Sequence, residues 1–346
     1  MKLHYFLALL PLAFASCNND SESYTNKPLA VRQPANFPAM TYDFTNNPVT
    51  EKGFELGRKL FYDGRLSSDG LVSCAFCHEQ AGAFTHHGHT VSHGVDNREG
   101  TRNAPAVQNM AFLSSYMWDG VTTHLDLQPL IPLTSEIEMH GDLNAILAMM
   151  EGDAGYKKMF ADAFPETGIT TENMLKAMSQ FMVMMISDQS KFDKYRRGEA
   201  GGTLTATEAQ GYALFNQKCA SCHATDLQTD GSFRNNGLPI NPQINDVGRY
   251  KITQNAADYY KFRVPSLRNI TLTGPYMHDG RFGTLESVLN FYSNGVYDTP
   301  TLDPLMRHTD GTRGIPLTAD EKTAIIAFLN TLTDTDFTSN PSFSEQ

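Results

Sequence analysis

Residues 71–80 read LVSCAFCHEQ, and residues 218–226 read KCASCHATD. Each stretch places two cysteines either side of two residues, with a histidine directly behind: Cys74, Cys77 and His78, then Cys219, Cys222 and His223. C-x-x-C-H is the attachment pattern for c-type haem. The thiols add to the haem vinyl groups as thioethers, and the adjacent histidine stands where it can ligate iron. A zinc site or a thioredoxin-like pair would use the same cysteines. The chain has five cysteines, and the two clusters take four of them. Repetition of the whole pattern favours two covalent haems.

The fifth cysteine belongs to a different kind of segment. MKLHYFLALLPLAFASC carries Lys2, then an apolar run from Tyr5 to Phe14. The run is too short to span a bilayer and reads as an export signal over residues 1–16. Phe14-Ala15-Ser16-Cys17 resembles a bacterial lipobox, which implies cleavage before Cys17 and acylation of that residue. An ordinary signal peptide with an incidental cysteine is the alternative. The polar residues that follow predict a lipidated tether over 17–45. Export places the protein in the periplasm or cell envelope, anchored to a membrane by lipid alone. Disulfides are allowed there, but a lipidated Cys17 leaves no cysteine for one.

Among 346 residues, 40% are hydrophobic and 19% charged, which suits a globular chain of about two domains. The net charge of −11 argues against nucleic acid and suits a basic protein partner or a small neutral substrate.

The regions before the two clusters look duplicated. EKGFELGRKLF (51–61) and EAQGYALF (208–215) both run Glu, Gly, aromatic, Leu, Phe on a helical period. Thr205 and Glu208 form a capping box, as do Thr318 and Glu321 ahead of a last helix over about 319–333. TENMLKAMSQFMVMMISDQSKFDKYRR (171–197) reads as helical, its Met and Phe serving core packing. RRGEAGGTLT (196–205) has the glycines of a junction. These features predict a mainly α protein: two cytochrome c-like haem domains, 46–200 and 201–346, packed together with long loops.

GTRNAPAVQN (100–109), YMWDG (116–120), SEIEMHG (135–141), FRVPSLRNITLTGPYMHDGRFGTLESV (262–288) and IIAFLNTLT (325–333) then give the chain a family. From about residue 45 to 335 it resembles the bacterial dihaem cytochrome c peroxidases, which include the MauG enzymes of methylamine utilisation. The resemblance implies that the N-terminal haem reduces hydrogen peroxide and the C-terminal haem takes electrons from a small cytochrome c or cupredoxin. It implies that His93, on a mobile loop, caps the N-terminal iron at rest, ahead of His86, His87 and His89. It makes Glu138 the acid-base residue of O–O cleavage, Gln128 a residue that positions peroxide, and Trp118 the indole between the haems. Asn103, Thr273 and Pro275 match positions that hold calcium through oxygen ligands. A homodimer stays open.

One position departs from the peroxidase pattern. Aligning TLESVLNFYSNG puts Tyr292 where typical members have a methionine ligand to the C-terminal iron, and MauG proteins have tyrosine. Met306 is the alternative ligand, and Met277 a remoter one. Tyrosinate stabilises ferric iron and lowers the potential. The resemblance therefore leaves two further readings beside the peroxidase. One is a MauG-like oxidase acting on a protein or organic substrate. The other is a dihaem electron carrier without turnover.

Overall fold

The computed structural model describes residues 26–346. The export segment and Cys17 lie outside the described residues. The described part of the expected tether is packed. Phe37 and Val49 are buried in a core with Phe61, Phe84 and Phe181, and Phe37 meets Phe112 edge-on at 5.2 Å. The polar run at its start conceals apolar residues spaced between polar ones (Val31, Phe37, Met40, Tyr42 and Phe44).

The protein is mainly helical, as the periodicity predicts. Its one sheet among the described residues pairs β1 (Phe233–Arg234) with β2 (Phe262–Arg263), antiparallel. Helix α1 spans Glu51–Tyr62, capped by the Thr50 side chain, which accepts from Gly53 N. It buries Leu56, Leu60 and Phe61. Each such side chain contributes about 1.5–3 kcal/mol through removal from water. α2 (Leu143–Gly152) and α3 (Ala154–Ala163) enlarge this core. α4 (Thr171–Met184) runs through it, with Met174, Met178, Phe181 and Met182 buried.

The helical stretch expected over 171–197 is two helices. α4 stops at Met184, and the chain restarts at Ser190. The Ser190 hydroxyl accepts from Asp193 N while the Asp193 carboxylate accepts from Ser190 N, a box that opens α5 (Lys191–Arg197). A capping box inside a helical period resets the helix, and Ser-x-x-Asp is that signal here.

The C-terminal half repeats the N-terminal plan. α6 (Ala206–Lys218) packs on α8 (Ala319–Asn330), as α1 packs on α4. A Cβ at Gly57 would collide with the Ala177 carbonyl and Phe181, and one at Gly211 with the Ala324 carbonyl and Phe328. Both crossings need a residue with no side chain. The register of the repeat is therefore Gly-x-x-Leu-Phe, Gly57 to Phe61 against Gly211 to Phe215. Between these two helices of the second half lies α7 (Leu285–Asn294).

The repeat extends into loops. RNAPAVQN (102–109) and FRVPSLRN (262–269) align without a gap, sharing Pro105 with Pro265 and Asn109 with Asn269, the asparagines at φ 56° and 57°. YMWDG and YMHDG match likewise, with Met117 and Met277 at positive φ and bridges Tyr116–Thr122 and Tyr276–Phe282. The halves meet through reciprocal bonds between these loops. Asn103 N donates to His278 O at 2.7 Å, and Arg263 N donates to Trp118 O at 2.7 Å. A buried ion pair adds to the join: Arg268 donates to Asp193 of α5, to the Asp226 carbonyl at 3.0 Å, and lies 4.8 Å from the Phe37 ring. Both charged side chains are wholly buried.

Candidate functional site

Each attachment motif closes on a partly buried histidine held in one orientation. His78 N donates to Cys74 O at 2.9 Å and His223 N to Cys219 O at 3.0 Å, so each histidine ends a single helical turn. The His78 ring places Nδ1 2.9 Å from Phe84 O, and the His223 ring places Nδ1 3.0 Å from Gln228 O. A carbonyl only accepts, so Nδ1 carries the proton and Nε2 keeps its lone pair. Burial holds both imidazoles below their usual range, which keeps them neutral. That is the form and tautomer that ligates a metal.

None of the four motif cysteines is paired in a disulfide. Burial pushes Cys74 and Cys219 up to about 12 and Cys77 up to about 11.

A largely apolar cavity opens beside His223, lined by Phe215, Leu289 and Ile325 together with Cys219 and Cys222. Arg263 also lines it, and its Nη1 is buried with no hydrogen-bond partner. Burial lowers its pKa to about 10. An uncompensated buried cation is costly, and a bound carboxylate would offset it. Haem has such groups, so thiols, imidazole, apolar walls and this unpaired cation all fit it.

Tyr292, Met277 and Met306 line the same cavity. The Tyr292 hydroxyl accepts from Asn236 Nδ2 at 3.3 Å, and that nitrogen is also 3.7 Å from Met277 Sδ. Burial pushes Tyr292 up to about 12, against the Asn236 hydrogen bond. Met306 is buried on the turn Pro304–Met306.

The N-terminal site has different surroundings. Cys77 Sγ lies 3.3 Å from His93 O, which sets the loop of His93 against the attachment motif. Val95 N donates to Glu138 O at 2.8 Å, and a Cβ at Gly94 would collide with the backbone of Ile137 and Glu138. The loop and Glu138 are thus one packed unit. Burial raises the Glu138 carboxyl above the usual range, while the Ser135 and Ser92 hydroxyls oppose the shift. A carboxyl raised in this way holds a proton more readily than an exposed one, which suits it to proton transfer.

His93 belongs to a cluster. His89 Nδ1 lies 3.3 Å from His93 Nε2, and His86 stacks on His89 at 4.0 Å. His86 is buried, its Nδ1 has no partner, and burial with the neighbouring imidazoles lowers it to about 4. His87 turns away, its Nδ1 3.2 Å from Leu272 O of the other half.

The Trp118 indole donates to Asn103 O at 2.8 Å, and Trp118 lines the cavity of the C-terminal half. Gln128 Nε2 lies 3.5 Å from the sulfur of Met117, the neighbour of Trp118. Asn103, Thr273 and Pro275 all line that cavity, while the Asn103 amide nitrogen donates to His89 O and Thr90 O at 3.1 and 3.2 Å. Arg263 and Asn236 did not stand out in the sequence. Laying 102–109 over 262–269 would have singled out Arg263, which falls opposite Asn103. Asn236 has no local motif and reaches Tyr292 only through the fold.

The family model for di-haem cytochrome c peroxidase matches residues 51–201, and that for cytochrome c matches residues 208–333. The chain is 34% identical to the methylamine utilization protein MauG of Methylorubrum extorquens over 83% of its own length and 79% of that protein's. It is 29% identical to the cytochrome c551 peroxidase of Pseudomonas aeruginosa, covering 93% of this chain and 88% of that one. A crystal structure of a MauG-like protein associated with microbial copper homeostasis superposes with a TM-score of 0.82 and 35% identity. That match covers 91% of this chain and 99% of that one.

Proposed function

The chain belongs to the dihaem cytochrome c peroxidase and MauG family of oxidoreductases, and from that premise we propose that it reduces hydrogen peroxide at its N-terminal site with electrons taken in at its C-terminal one. Cys74, Cys77 and His78 would hold one haem, and Cys219, Cys222 and His223 the other. When bound, these groups supply the redox chemistry of H2O2 + 2 e⁻ + 2 H⁺ → 2 H2O.

The chain's own contribution at the N-terminal site is proton handling and access. The observation that carries the reading is Glu138: half-buried, raised in pKa, and packed through its backbone on Gly94 and Val95, beside His93. In this reading its carboxylate takes a proton from peroxide and returns it to the departing oxygen. His93 closes the N-terminal site at rest, and withdrawal of its loop admits peroxide. Gln128 orients the oxidant. Trp118 would carry electrons between the two haems, a role supported by its indole bond to Asn103 in one half and its carbonyl bond from Arg263 in the other. Asn103, Thr273 and Pro275 would bind calcium where the halves meet. An electron carrier without turnover would have no use for such a carboxylate.

The expected setting is the periplasm or cell envelope, with a small cytochrome c or cupredoxin as donor and attachment through a lipid on Cys17. Among the described residues no helix is long and apolar enough to cross a membrane. The test is Glu138→Ala: both haems should remain by mass while peroxide turnover collapses. Normal turnover in that variant would refute the assignment.

A second reading rests on Tyr292. Of the three ligand candidates in the C-terminal cavity, it alone is an oxygen donor, held by a side-chain amide. A tyrosinate-ligated haem makes a poor acceptor for high-potential donors and favours MauG-like oxidation of a protein or organic molecule. Paramagnetic resonance of the resting holoprotein discriminates, because methionine ligation would exclude this reading.

A further inference from the structure

Outside the sites already described, the C-terminal half carries a run of tyrosines. Tyr250 and Tyr259 stack at 3.9 Å with their planes 20° apart. Tyr259 lies 5.4 Å from Tyr260. Tyr260 lines a small pocket together with Phe262 and His278. Phe262 and His278 stack on each other at 3.9 Å and also line the large cavity beside His223. One aromatic layer therefore separates Tyr260 from the haem cavity, and Tyr260 leads through Tyr259 to Tyr250. All three tyrosines are partly open to solvent.

Packing does not account for this stack, because none of the three tyrosines is buried or belongs to a hydrophobic core cluster. The backbone is also bent to make it: Tyr260 sits at φ 58°, and Thr301 Oγ1 holds the Tyr259 carbonyl at 2.7 Å. Positive φ is uncommon for an aromatic residue and points to a held geometry. Electron tunnelling falls steeply with distance, so a line of oxidisable rings replaces one long step by several short ones. Phenols are the readily oxidised side chains here, since the single tryptophan, Trp118, lies elsewhere on the cavity.

We propose that Tyr260, Tyr259 and Tyr250 form an electron entry port at which the protein oxidises phenol-class reductants on its surface, one aromatic layer outside the C-terminal cavity. This rests on the reading that the chain reduces hydrogen peroxide, which is the oxidant. Each phenol gives up one electron, which travels inward along the rings, and its hydroxyl proton passes to solvent. Two turns balance one peroxide: H2O2 + 2 ArOH → 2 H2O + 2 ArO•, and the two phenoxyl radicals couple to form one new bond. The port is separate from the route used by a small redox protein.

The experiment uses the holoprotein and its Tyr250→Phe, Tyr259→Phe and double variants, which keep the ring stack and lose only the hydroxyls. Haem content is verified optically. Peroxide is added without donor, and the freeze-quenched samples are read by paramagnetic resonance in protein carrying ring-deuterated tyrosine. N-acetyltyrosinamide oxidation and peroxide turnover with reduced cytochrome c are measured in parallel. The parent should give a tyrosyl signal narrowed by deuteration and should couple N-acetyltyrosinamide. Tyr259→Phe should lose both while keeping its turnover with reduced cytochrome c. An unchanged signal and unchanged coupling in the double variant would overturn the port. A parent that reduces peroxide with cytochrome c but neither forms the radical nor oxidises the phenol would overturn the port alone. A parent that reduces peroxide with neither reductant would overturn the peroxide reading and the port together.

Discussion

Trp118 and His278 occupy the same position in two copies of one loop. Each follows a methionine at positive φ and precedes Asp-Gly, and each has its carbonyl bonded to a backbone N–H of the other half. The side chains have diverged. Trp118 donates its indole N–H to Asn103 O, whereas His278 is stacked on Phe262 and held neutral, its pKa lowered by burial to about 4. The pattern holds across the molecule. What the halves share is what attaches a haem: a thiol pair, a histidine with Nδ1 on a carbonyl, and a glycine at the helix crossing. Where they differ is in the side chains around that motif. Near its motif one half carries Glu138 and the imidazoles of His86, His89 and His93, and the cavity of the other is lined by the Tyr292 phenol and the thioethers of Met277 and Met306. The comparison teaches that duplication supplied the holder and divergence supplied the chemistry.

The largest effect that could break this comparison comes from removing one holder. Cys74→Ser with Cys77→Ser should lower the mass by one haem and reduce peroxide turnover to background, with the C-terminal haem still attached. Retention of turnover would mean that the halves do not divide the work as described. Next comes Glu138→Gln, which should lower turnover by about a hundred- to ten-thousand-fold with both haems present, the usual range for a lost general acid-base group.

A stability prediction tests the join between the halves. Arg268→Met leaves the buried Asp193 carboxylate unpaired and should cost about 3–5 kcal/mol in denaturant unfolding. Its pH dependence has a definite sign. Burial raises the Asp193 pKa, but the Arg268 charge and hydrogen bonds outweigh it and hold the carboxyl below the usual 3.8. That stabilisation is present above the unfolded value and is lost as pH falls through the folded one. In the variant only burial and the smaller hydrogen bonds remain, so its deficit against the parent should narrow on acidification. A deficit independent of pH would show that Asp193 is not the group responsible. The smallest effect sharpens the comparison without breaking it. Tyr292→Met should raise the potential of the C-terminal haem in a redox titration and leave peroxide affinity at the N-terminal site unchanged.

Much of this was legible in the chain because covalent attachment needs an unbroken motif, and an unbroken motif survives in one dimension. The helix starts at Thr205 and Thr318 were equally readable, since a capping box is local. The break at Met184 was hidden by continuous helical spacing, although Ser190 and Asp193 carried its signal. Packing of residues 26–45 was missed because their apolar residues are spaced among polar ones. The partners of the C-terminal cavity were least legible. Asn236 and Tyr292 are 56 residues apart, and Arg263 is conspicuous only once its unpaired nitrogen is seen against the cavity. The histidines of residues 86–93 could be counted but not sorted, because only the folded loop buries His86, joins His89 to His93 and turns His87 away.

The central claim is that peroxide meets iron in the N-terminal half alone. Low-temperature paramagnetic resonance of the holoprotein, before and after stoichiometric peroxide, tests it most directly when run on the parent beside Cys74→Ser/Cys77→Ser and Cys219→Ser/Cys222→Ser. The account predicts that peroxide consumes a signal belonging to the haem on Cys74 and Cys77, and that the first double variant shows no such response. A response that survives in that variant and vanishes in the second would contradict it.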